Sequence, residues 1–434
     1  MSRKKNKKSK IKRVAVQTLG CSKNVVDSER LIYLLDKNGF LYTEDYSKAD
    51  AWVINTCGFI NDAKQESIEQ ILSAADLKER GLLKKLIVAG CLSERYGKQL
   101  RDQVLEVDHF FGVNSQHDII KILKGDYEVL DEGGRILLTP RHYAYLKISE
   151  GCNHRCAFCA IPLIRGTYIS KSEEELIAEA ETLVQNGVKE LVMIAQDTTY
   201  YGKDLYGRPT IASLADKLSG IDGLEWLRLM YTFPVGFPVD ILEVMAEKEN
   251  FCKYIDIPLQ HISDPVLKAM GRGSSEQSLK NLIDLIRENV PGVTLRTTFI
   301  TGFPNETEED FIKLHEFIKE YKFDRLGVFK YSPEDETSAF ELGDPIPDEV
   351  KSERLDILMR EQMEISTQKN KELEGKTLKV LIDGETANGY TGRTERDAPE
   401  VDNAVIIRSN RELKPGTFAD VRIVSSGAYD LYGE

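Results

Sequence analysis

The sequence predicts a multidomain α/β protein: an N-terminal parallel α/β sheet domain, a central partial (β/α) barrel, and a C-terminal small antiparallel β-barrel. Three observations predict it. Apolar runs alternate with helical patterns over most of the chain, a Gly- and Pro-containing charged stretch interrupts that alternation once, and the last residues break into short strands. Strands alternating with helices imply parallel βαβ units, and 434 residues give room for about three domains at about 150 residues each. At 41% hydrophobic and 30% charged residues the composition is globular rather than disordered or fibrous.

The elements follow in order. Residues 1–13 (MSRKKNKKSKIKR) carry eight Lys or Arg and no acid. Residues 1–12 are therefore expected to be a disordered basic tail, whose functional reading is non-specific contact with nucleic acid. The remaining chain is strongly acidic, since the net charge is −13; such a body suits a basic partner better than a bare nucleic acid. From 13 to 130 the runs RVAVQTLG, AWVINTCG, KLIVAGC and DHFFGV each precede a helical pattern. Asp131-Glu-Gly-Gly-Arg135 and Pro140 mark a linker. The second domain, 138–371, opens with Ala144-Tyr-Leu-Lys-Ile148 and repeats strand plus helix about six times, through ELVMIAQ, WLRLMYT, YIDIPL, VTLRTTFITG and RLGVFKY. That pattern predicts a TIM-type barrel or part of one. A polar helix near 348–373 leads into 373–434, where short strands broken by Gly, Asn and Pro predict a small barrel. No run approaches the roughly 18 apolar residues of a membrane helix, and the N-terminus has no apolar signal region. A cytoplasmic protein with no membrane contact is expected.

Seven cysteines stand at 21, 57, 91, 152, 156, 159 and 252. An odd count without a secretory signal points to metal or redox chemistry rather than a disulfide framework. Gly151-Cys-Asn-His-Arg-Cys-Ala-Phe-Cys159 gives C-x3-C-x2-C directly after the first barrel strand, where barrels place their chemistry. Three thiolates so close can hold three irons of a 4Fe–4S cube and leave the fourth open. The alternative is zinc with His154 as fourth ligand, since closed structural zinc takes four. Cys21, Cys57 and Cys91 are 36 and 34 residues apart and each ends an apolar strand. In a parallel sheet such strand ends share an edge, where ligands bind. Three in phase suggest a second cluster; the alternative is three small buried residues. Cys252 has no such partner and reads as core.

The first cysteine loop resembles that of the radical S-adenosylmethionine superfamily. Ala160-Ile-Pro-Leu-Ile-Arg-Gly166 continues it as in relatives whose loop ends Ile-Pro-x-x-Arg-Gly. The resemblance implies that Cys152, Cys156 and Cys159 bind a 4Fe–4S cluster. Its open iron binds S-adenosylmethionine, and cleavage gives a 5′-deoxyadenosyl radical. It further implies cofactor contacts by Phe158 near the adenine and by Gln196 and Asp197, in Ile194-Ala-Gln-Asp-Thr198, where relatives often have Gly-Gly-Glu. Gly302, in Ile300-Thr-Gly-Phe-Pro304, would approach the adenosyl group; a tight turn is the other reason for glycine there.

With the second cysteine set, the chain resembles the methylthiotransferases over nearly its whole length. The motifs are Gln17-Thr-Leu-Gly-Cys-Ser-Lys-Asn24 with Val26-Asp-Ser-Glu29, Asn55-Thr-Cys-Gly-Phe59, and Ile257-Pro-Leu-Gln-His261 with Ser263-Asp264 and Lys268-Ala-Met270. The resemblance assigns 13–130 as the cluster domain, 138–371 as the radical domain and 373–434 as a TRAM barrel. It implies two 4Fe–4S clusters, the second on Cys21, Cys57 and Cys91 with an open iron that carries sulfide. It names no catalytic side chain beyond the cluster ligands, because the radical is carried by the cofactor.

Two branches of the family differ in substrate, one acting on an adenosine in tRNA and one on a ribosomal protein. Leu-Gly-Cys-Ser-Lys-Asn, Cys-Gly-Phe-Ile with Ala63-Lys64 and Glu66-Ser67, Gly327-Val-Phe-Lys-Tyr-Ser-Pro-Glu334 and Gly392-Arg-Thr-Glu-Arg-Asp-Ala-Pro-Glu-Val-Asp402 look like the protein-modifying branch. From Leu373 to Glu434 the net charge is −3, a poor surface for gripping phosphates. Asp397, Glu400 and Asp402 in one loop would repel RNA and attract a basic ribosomal protein. A solvated turn is the plainer reading. The resemblance implies methylthiolation of the β-carbon of an aspartate in ribosomal small-subunit protein S-twelve. One S-adenosylmethionine methylates the cluster-bound sulfur and a second supplies the radical that opens the C–H bond. Lys23, Asn24, Arg165 and Arg228 are candidates to bind the substrate carboxylate, or members of ion pairs. Further expected partners are a flavodoxin or ferredoxin as electron donor, a sulfur donor, and ribosomal RNA contacted by the tail. A tRNA methylthiotransferase and a non-enzymatic iron–sulfur or zinc adaptor are the alternatives.

Overall fold

The structure is a computed structural model describing residues 11–125 and 133–434. Apart from Ile11 and Lys12, the expected basic tail lies outside the described residues. By its contacts the chain forms two compact units, one ending at Leu138 but joined by Leu163–Arg165, the other comprising Thr139–Pro162 and Gly166–Glu434.

In the first unit, β1 (Arg13–Thr18), β2 (Leu41–Tyr42), β3 (Ala51–Thr56), β4 (Lys85–Gly90) and β5 (His109–Phe110) form a parallel sheet in the order β2-β1-β3-β4-β5. Side chains alternate across a strand, so β3 sends Trp52 and Ile54 to one face and Ala51 and Val53 to the other. Helices Asn61–Glu79 and Cys91–Gln103 cover the first face with Ile71, Ala74 and Leu100. Helices Ser22–Lys37 and Gln116–Lys124 cover the second with Leu31, Ile32, Leu35, Ile119 and Ile120. Every residue of β3 is buried, as expected of a parallel strand covered on both sides.

The second unit begins with β6 (Tyr143–Lys147). A short antiparallel ribbon, β7 (Ser149–Glu150) with β8 (Ile169–Ser170), then brackets the cysteine loop. Strands β9 (Glu190–Ile194), β10 (Trp226–Leu229), β11 (Phe251–Asp256), β12 (Thr294–Thr301) and β13 (Arg325–Lys330) follow, giving the open order β13-β12-β11-β10-β9-β6 with all neighbours parallel. This is the partial barrel that the strand–helix repeat predicts. Three of its helices start with reciprocal capping boxes, Ser172 with Glu175, Ser275 with Ser278 and Thr307 with Asp310, which satisfy amide donors that a helix start leaves unpaired. The polar helix is Asp348–Lys371.

The C-terminal strands, β14 (Thr377–Thr386), β15 (Gly389–Arg393), β16 (Val405–Ile407), β17 (Phe418–Ser426) and β18 (Leu431–Gly433), close into a barrel around Val380, Ile382, Val405, Ile407, Val421, Ile423 and Leu431. It is not wholly antiparallel, because β16 and β18 pair in parallel. An odd ring of strands cannot alternate direction throughout, so one parallel pair is unavoidable.

The acidic loop between β15 and β16 departs most from expectation. Together with Arg393 at the end of β15, it contacts residues of all six strands of the larger sheet. Arg393 Nη1 reaches Glu190 Oε2 at 2.7 Å, the Glu395 carbonyl accepts from Arg228 at 2.7 Å, and Glu395 Oε2 accepts from the Lys253 amide at 3.2 Å. Asp397 pairs with Arg325, and Glu400 accepts from Tyr143 and Tyr145 at 3.0 and 2.8 Å. Asp402 accepts from Tyr254 at 2.6 Å and pairs with Arg296 at 3.4 Å. Asp397 and Asp402 are thus not a lure for a basic protein: their side chains are only 3% and 2% exposed. Arg228 leaves the set of substrate-binding candidates for the same reason. It is fully buried, with Nε 2.7 Å from Glu190 Oε1 and its guanidinium over Tyr254. Burial alone pushes the Glu190 carboxyl up, but Arg393 and Arg228 outweigh it and hold it below the ordinary carboxylate range.

Candidate functional site

Cys152, Cys156 and Cys159 lie on the loop leaving β7. The loop closes on itself through the Cys152 amide, which donates to Gly166 O at 3.1 Å, and the Cys159 amide, which donates to Cys156 O at 3.1 Å. It is also pinned to distant chain, the Ala157 amide donating to Met270 O at 2.8 Å. Gly151 has φ +74°, and a Cβ there would stand 2.1 Å from Thr167 O; only glycine allows the loop to leave β7 so tightly. Gly151→Ala is expected to lower thermal stability and cluster content together, checked by calorimetry and iron analysis. Burial pushes the Cys152 thiol up to about 11 and the Cys159 thiol up to about 12, against a lowering influence of Arg272.

Within the loop, the His154 ring is engaged by distant residues. Its Nε2 is 2.6 Å from Asp197 Oδ2 and its ring stacks on Phe233, centroids 3.6 Å apart. Asp197 Oδ1 accepts from the Thr199 amide at 2.9 Å, so both oxygens of this cofactor-contact candidate are engaged. Gln196 differs: its Oε1 is buried with no hydrogen-bond partner among the described residues. Phe158 packs against a cluster containing Met270, Phe303, Tyr331 and Ala339. Gly302 has φ +73°, its amide donates to Glu306 Oε2 at 2.9 Å, and a Cβ would stand 2.1 Å from Lys351 Cγ. The helix Asp348–Lys371 therefore demands glycine there independently of any ligand. Arg272, which the sequence did not single out, places Nη1 3.4 Å from Cys156 Sγ. Its only sequence cue is an arginine between two turn glycines.

In the first unit Cys21, Cys57 and Cys91 follow β1, β3 and β4, which are neighbours in the sheet. The turns that carry them pack closely: a Cβ on Gly20 would lie 2.8 Å from Cys57 Sγ, and one on Gly58 would lie 2.9 Å from the Cys91 carbonyl carbon. Asn24 ties the strand ends, its Nδ2 donating to Leu19 O at 2.7 Å and Thr56 O at 3.1 Å. Its Oδ1 accepts from Arg165 Nη2 at 2.6 Å, and Arg165 also lies 3.6 Å from Cys91 Sγ and 3.2 Å from Asp27. Asn24 and Arg165 are thereby committed to this cysteine set. Lys23 is buried at its edge. Burial raises the Cys57 thiol and pushes the Cys91 thiol up to about 12, with Arg165 opposing and the other cysteines adding to the rise. Cys252 is buried within β11.

Among the described residues no three His, Cys, Asp or Glu side chains are close enough to ligate a single metal ion. Thiolates bound to three different irons of a cube stand further apart than ligands on one ion. Cys21 is exposed while Cys57 and Cys91 are buried. In cluster-free protein at neutral pH, Cys21 is expected to alkylate at least tenfold faster than Cys91, because the thiolate is the nucleophile. Cluster loading should remove that reactivity, as read by peptide mass spectrometry.

Residues 146–318 match the radical SAM superfamily, residues 13–112 the uncharacterized protein family UPF0004, and residues 375–434 the TRAM domain. The chain is 52% identical over 420 residues to the ribosomal protein uS12 methylthiotransferase RimO of Chloroherpeton thalassium, covering 96% of both chains. It is 49% identical over 431 residues to the RimO of Flavobacterium psychrophilum, covering 99% of both. The chain belongs to the RimO family of radical S-adenosylmethionine methylthiotransferases. RimO family members use two 4Fe–4S clusters and S-adenosylmethionine. Among solved structures, the radical S-adenosylmethionine methyltransferase TsrM of Kitasatospora setae, with cobalamin and a 4Fe–4S cluster, aligns at TM-score 0.56 and 13% identity over 76% of this chain and 77% of its own. The cobalamin-dependent radical enzyme OxsB aligns at TM-score 0.52 and 16% identity over 81% of this chain and 56% of its own. At these identities the likeness is one of fold.

Proposed function

We propose that this chain methylthiolates the β-carbon of a conserved aspartate in ribosomal protein uS12, with Cys152, Cys156 and Cys159 holding the cluster that engages S-adenosylmethionine and Cys21, Cys57 and Cys91 holding the second. The observation that carries the reading is the gathering of each cysteine trio at the C-terminal edge of its own parallel sheet, in a chain about half identical to RimO proteins over its full length. The donor sets fit the groups: each trio is all thiol, as Fe–S clusters require, and each has a buried guanidinium beside one sulfur. Bound there, the clusters and S-adenosylmethionine supply methyl transfer to sulfur and radical cleavage of an unactivated C–H bond.

The chain's own residues do the rest. The buried, unpaired Gln196 Oε1 is an acceptor for an ammonium group such as that of S-adenosylmethionine, and Phe158 offers an apolar face for its adenine. Asp197 works through His154, a member of the cysteine loop whose ring it holds against Phe233. Gly302 lets the chain after β12 pass close to Lys351 and, having no side chain, would allow close approach of the adenosyl group. Cytoplasmic location, a flavodoxin or ferredoxin as electron donor, a separate sulfur donor, and contact of the basic tail with ribosomal RNA complete the proposal. The seven basic residues of 1–12 support the last, since phosphate neutralisation drives such contacts. Among the described residues no helix is long and apolar enough to cross a membrane.

The test is anaerobic incubation of the reconstituted protein with purified uS12, reductant, sulfide and S-adenosylmethionine, followed by peptide mass spectrometry. The expected product is one methylthio group on a single aspartate. Modification of tRNA with unmodified uS12 would overturn the substrate assignment.

A further inference from the structure

Arg272 is a buried cation that has no carboxylate paired with it among the described residues. It is 5% exposed, and among the described residues none of its contacts is an ion pair. Its Nη2 donates to Pro258 O, its Nε is buried without a partner, and its remaining described hydrogen bond runs from Nη1 to Cys156 Sγ at 3.4 Å. Its guanidinium lies over Phe233, 4.2 Å from the ring centroid, and the other face of the stack is His154, held by Asp197. A buried charge is strongly disfavoured unless paired, yet every neighbour that fixes this one is neutral except a cysteine of the radical loop. The contrast within the molecule is informative. The guanidinium at the other cysteine set, Arg165, has Asp27 beside it at 3.2 Å and so arrives already neutralised.

We propose that Arg272 is the positioning residue that sets the reduction potential of the cluster on Cys152, Cys156 and Cys159, its uncompensated guanidinium being the built-in counter-charge of that cluster. This inference rests on the cluster assignment proposed above. Three thiolates and an iron–sulfur core are anionic, and one-electron reduction makes them more so; a fixed cation and an N–H to a ligand sulfur favour the reduced form. Arg165, balanced by Asp27, exerts a weaker bias of the same sign on its own set. The Phe233–His154 stack keeps Arg272 planar against the loop, so the charge stays at Cys156 rather than turning to solvent.

The experiment is an anaerobic redox titration of the holoenzyme read by electron paramagnetic resonance, with wild type, Arg272→Lys and Arg272→Gln. The radical cluster is identified as the signal that changes on adding S-adenosylmethionine. In Arg272→Gln, at a fixed applied potential, its reduced-to-oxidised ratio is expected to fall at least tenfold, about 59 mV for a one-electron couple. Arg272→Lys, which keeps the charge, should fall between, and the other cluster should not move. A Gln variant that loses the responsive cluster alone, with half its iron retained, also supports the counter-charge. The proposal is overturned if both variants titrate with wild type, if both clusters shift together, or if both clusters are lost together. A wild type without any S-adenosylmethionine-responsive signal would instead refute the cluster assignment itself.

Discussion

Cys152→Ala is expected to abolish 5′-deoxyadenosine formation while about half of the iron remains, and Cys21→Ala to keep 5′-deoxyadenosine formation while ending methylthiolation. The two trios lie on separate sheets, the first following β7 and the second following β1, β3 and β4. Removing one thiolate leaves a cube with two protein ligands in place of three, which should cost that cluster and spare the other. Iron analysis should therefore fall from about eight to about four per chain in each variant, as two 4Fe–4S clusters require. Product assays then separate the roles. Activity falls by the whole radical step in Cys152→Ala, an effect on the order of the rate enhancement itself. A Cys21→Ala protein that keeps full iron and still thiolates uS12 would sink the second assignment.

The second large effect concerns stability and lies at the opposite ends of the strands. Arg393→Met leaves Asp383 with the His142 ring as its one remaining partner among the described residues and takes from Glu190 one of its two guanidinium partners. Breaking a buried ion pair by removing one partner costs about 3–5 kcal/mol. At about 2–4 °C per kcal/mol for a large domain, Tm should drop by roughly 6 °C or more in calorimetry of either cluster-free or loaded protein. The pH dependence has a fixed sign. Glu190 is held below the ordinary carboxylate value, so its contribution is complete above that value and is lost as pH falls through the lower, folded one. The variant should therefore gain little from rising pH in the acid range where wild type gains most. Radical formation per loaded cluster should be unchanged, since none of these groups touches the cysteine loop. An unaltered Tm would mean that the network is solvated and contributes nothing.

Much of this architecture was readable from residue order. The apolar run that becomes β3, the in-phase cysteines and the C-x3-C-x2-C loop are local patterns, and a parallel sheet converts them directly into an edge. What escaped was pairing over long separations. Arg393 meets Glu190 across 203 residues and Arg272 meets Cys156 across 116, and nothing in a local window marks either partner. The acidic loop read as an exposed, partner-seeking stretch because composition records charge without its counter-ion. Gly302 carries the same lesson on a smaller scale: a glycine at a strand end suits a ligand or a turn, and only the approach of Lys351 shows that packing demands it.

The floor formed under the six strands by residues 393–402 has a consequence for modularity. A fragment cut after the helix Asp348–Lys371 would bare Arg228, Arg296 and Arg325 and the hydroxyls of Tyr143, Tyr145 and Tyr254, stripping the underside of most of its anions and acceptors. The last sixty or so residues are in this respect no detachable appendage. They act as a keystone, so exchanging them between relatives should succeed only when the matching arginines and tyrosines travel with them.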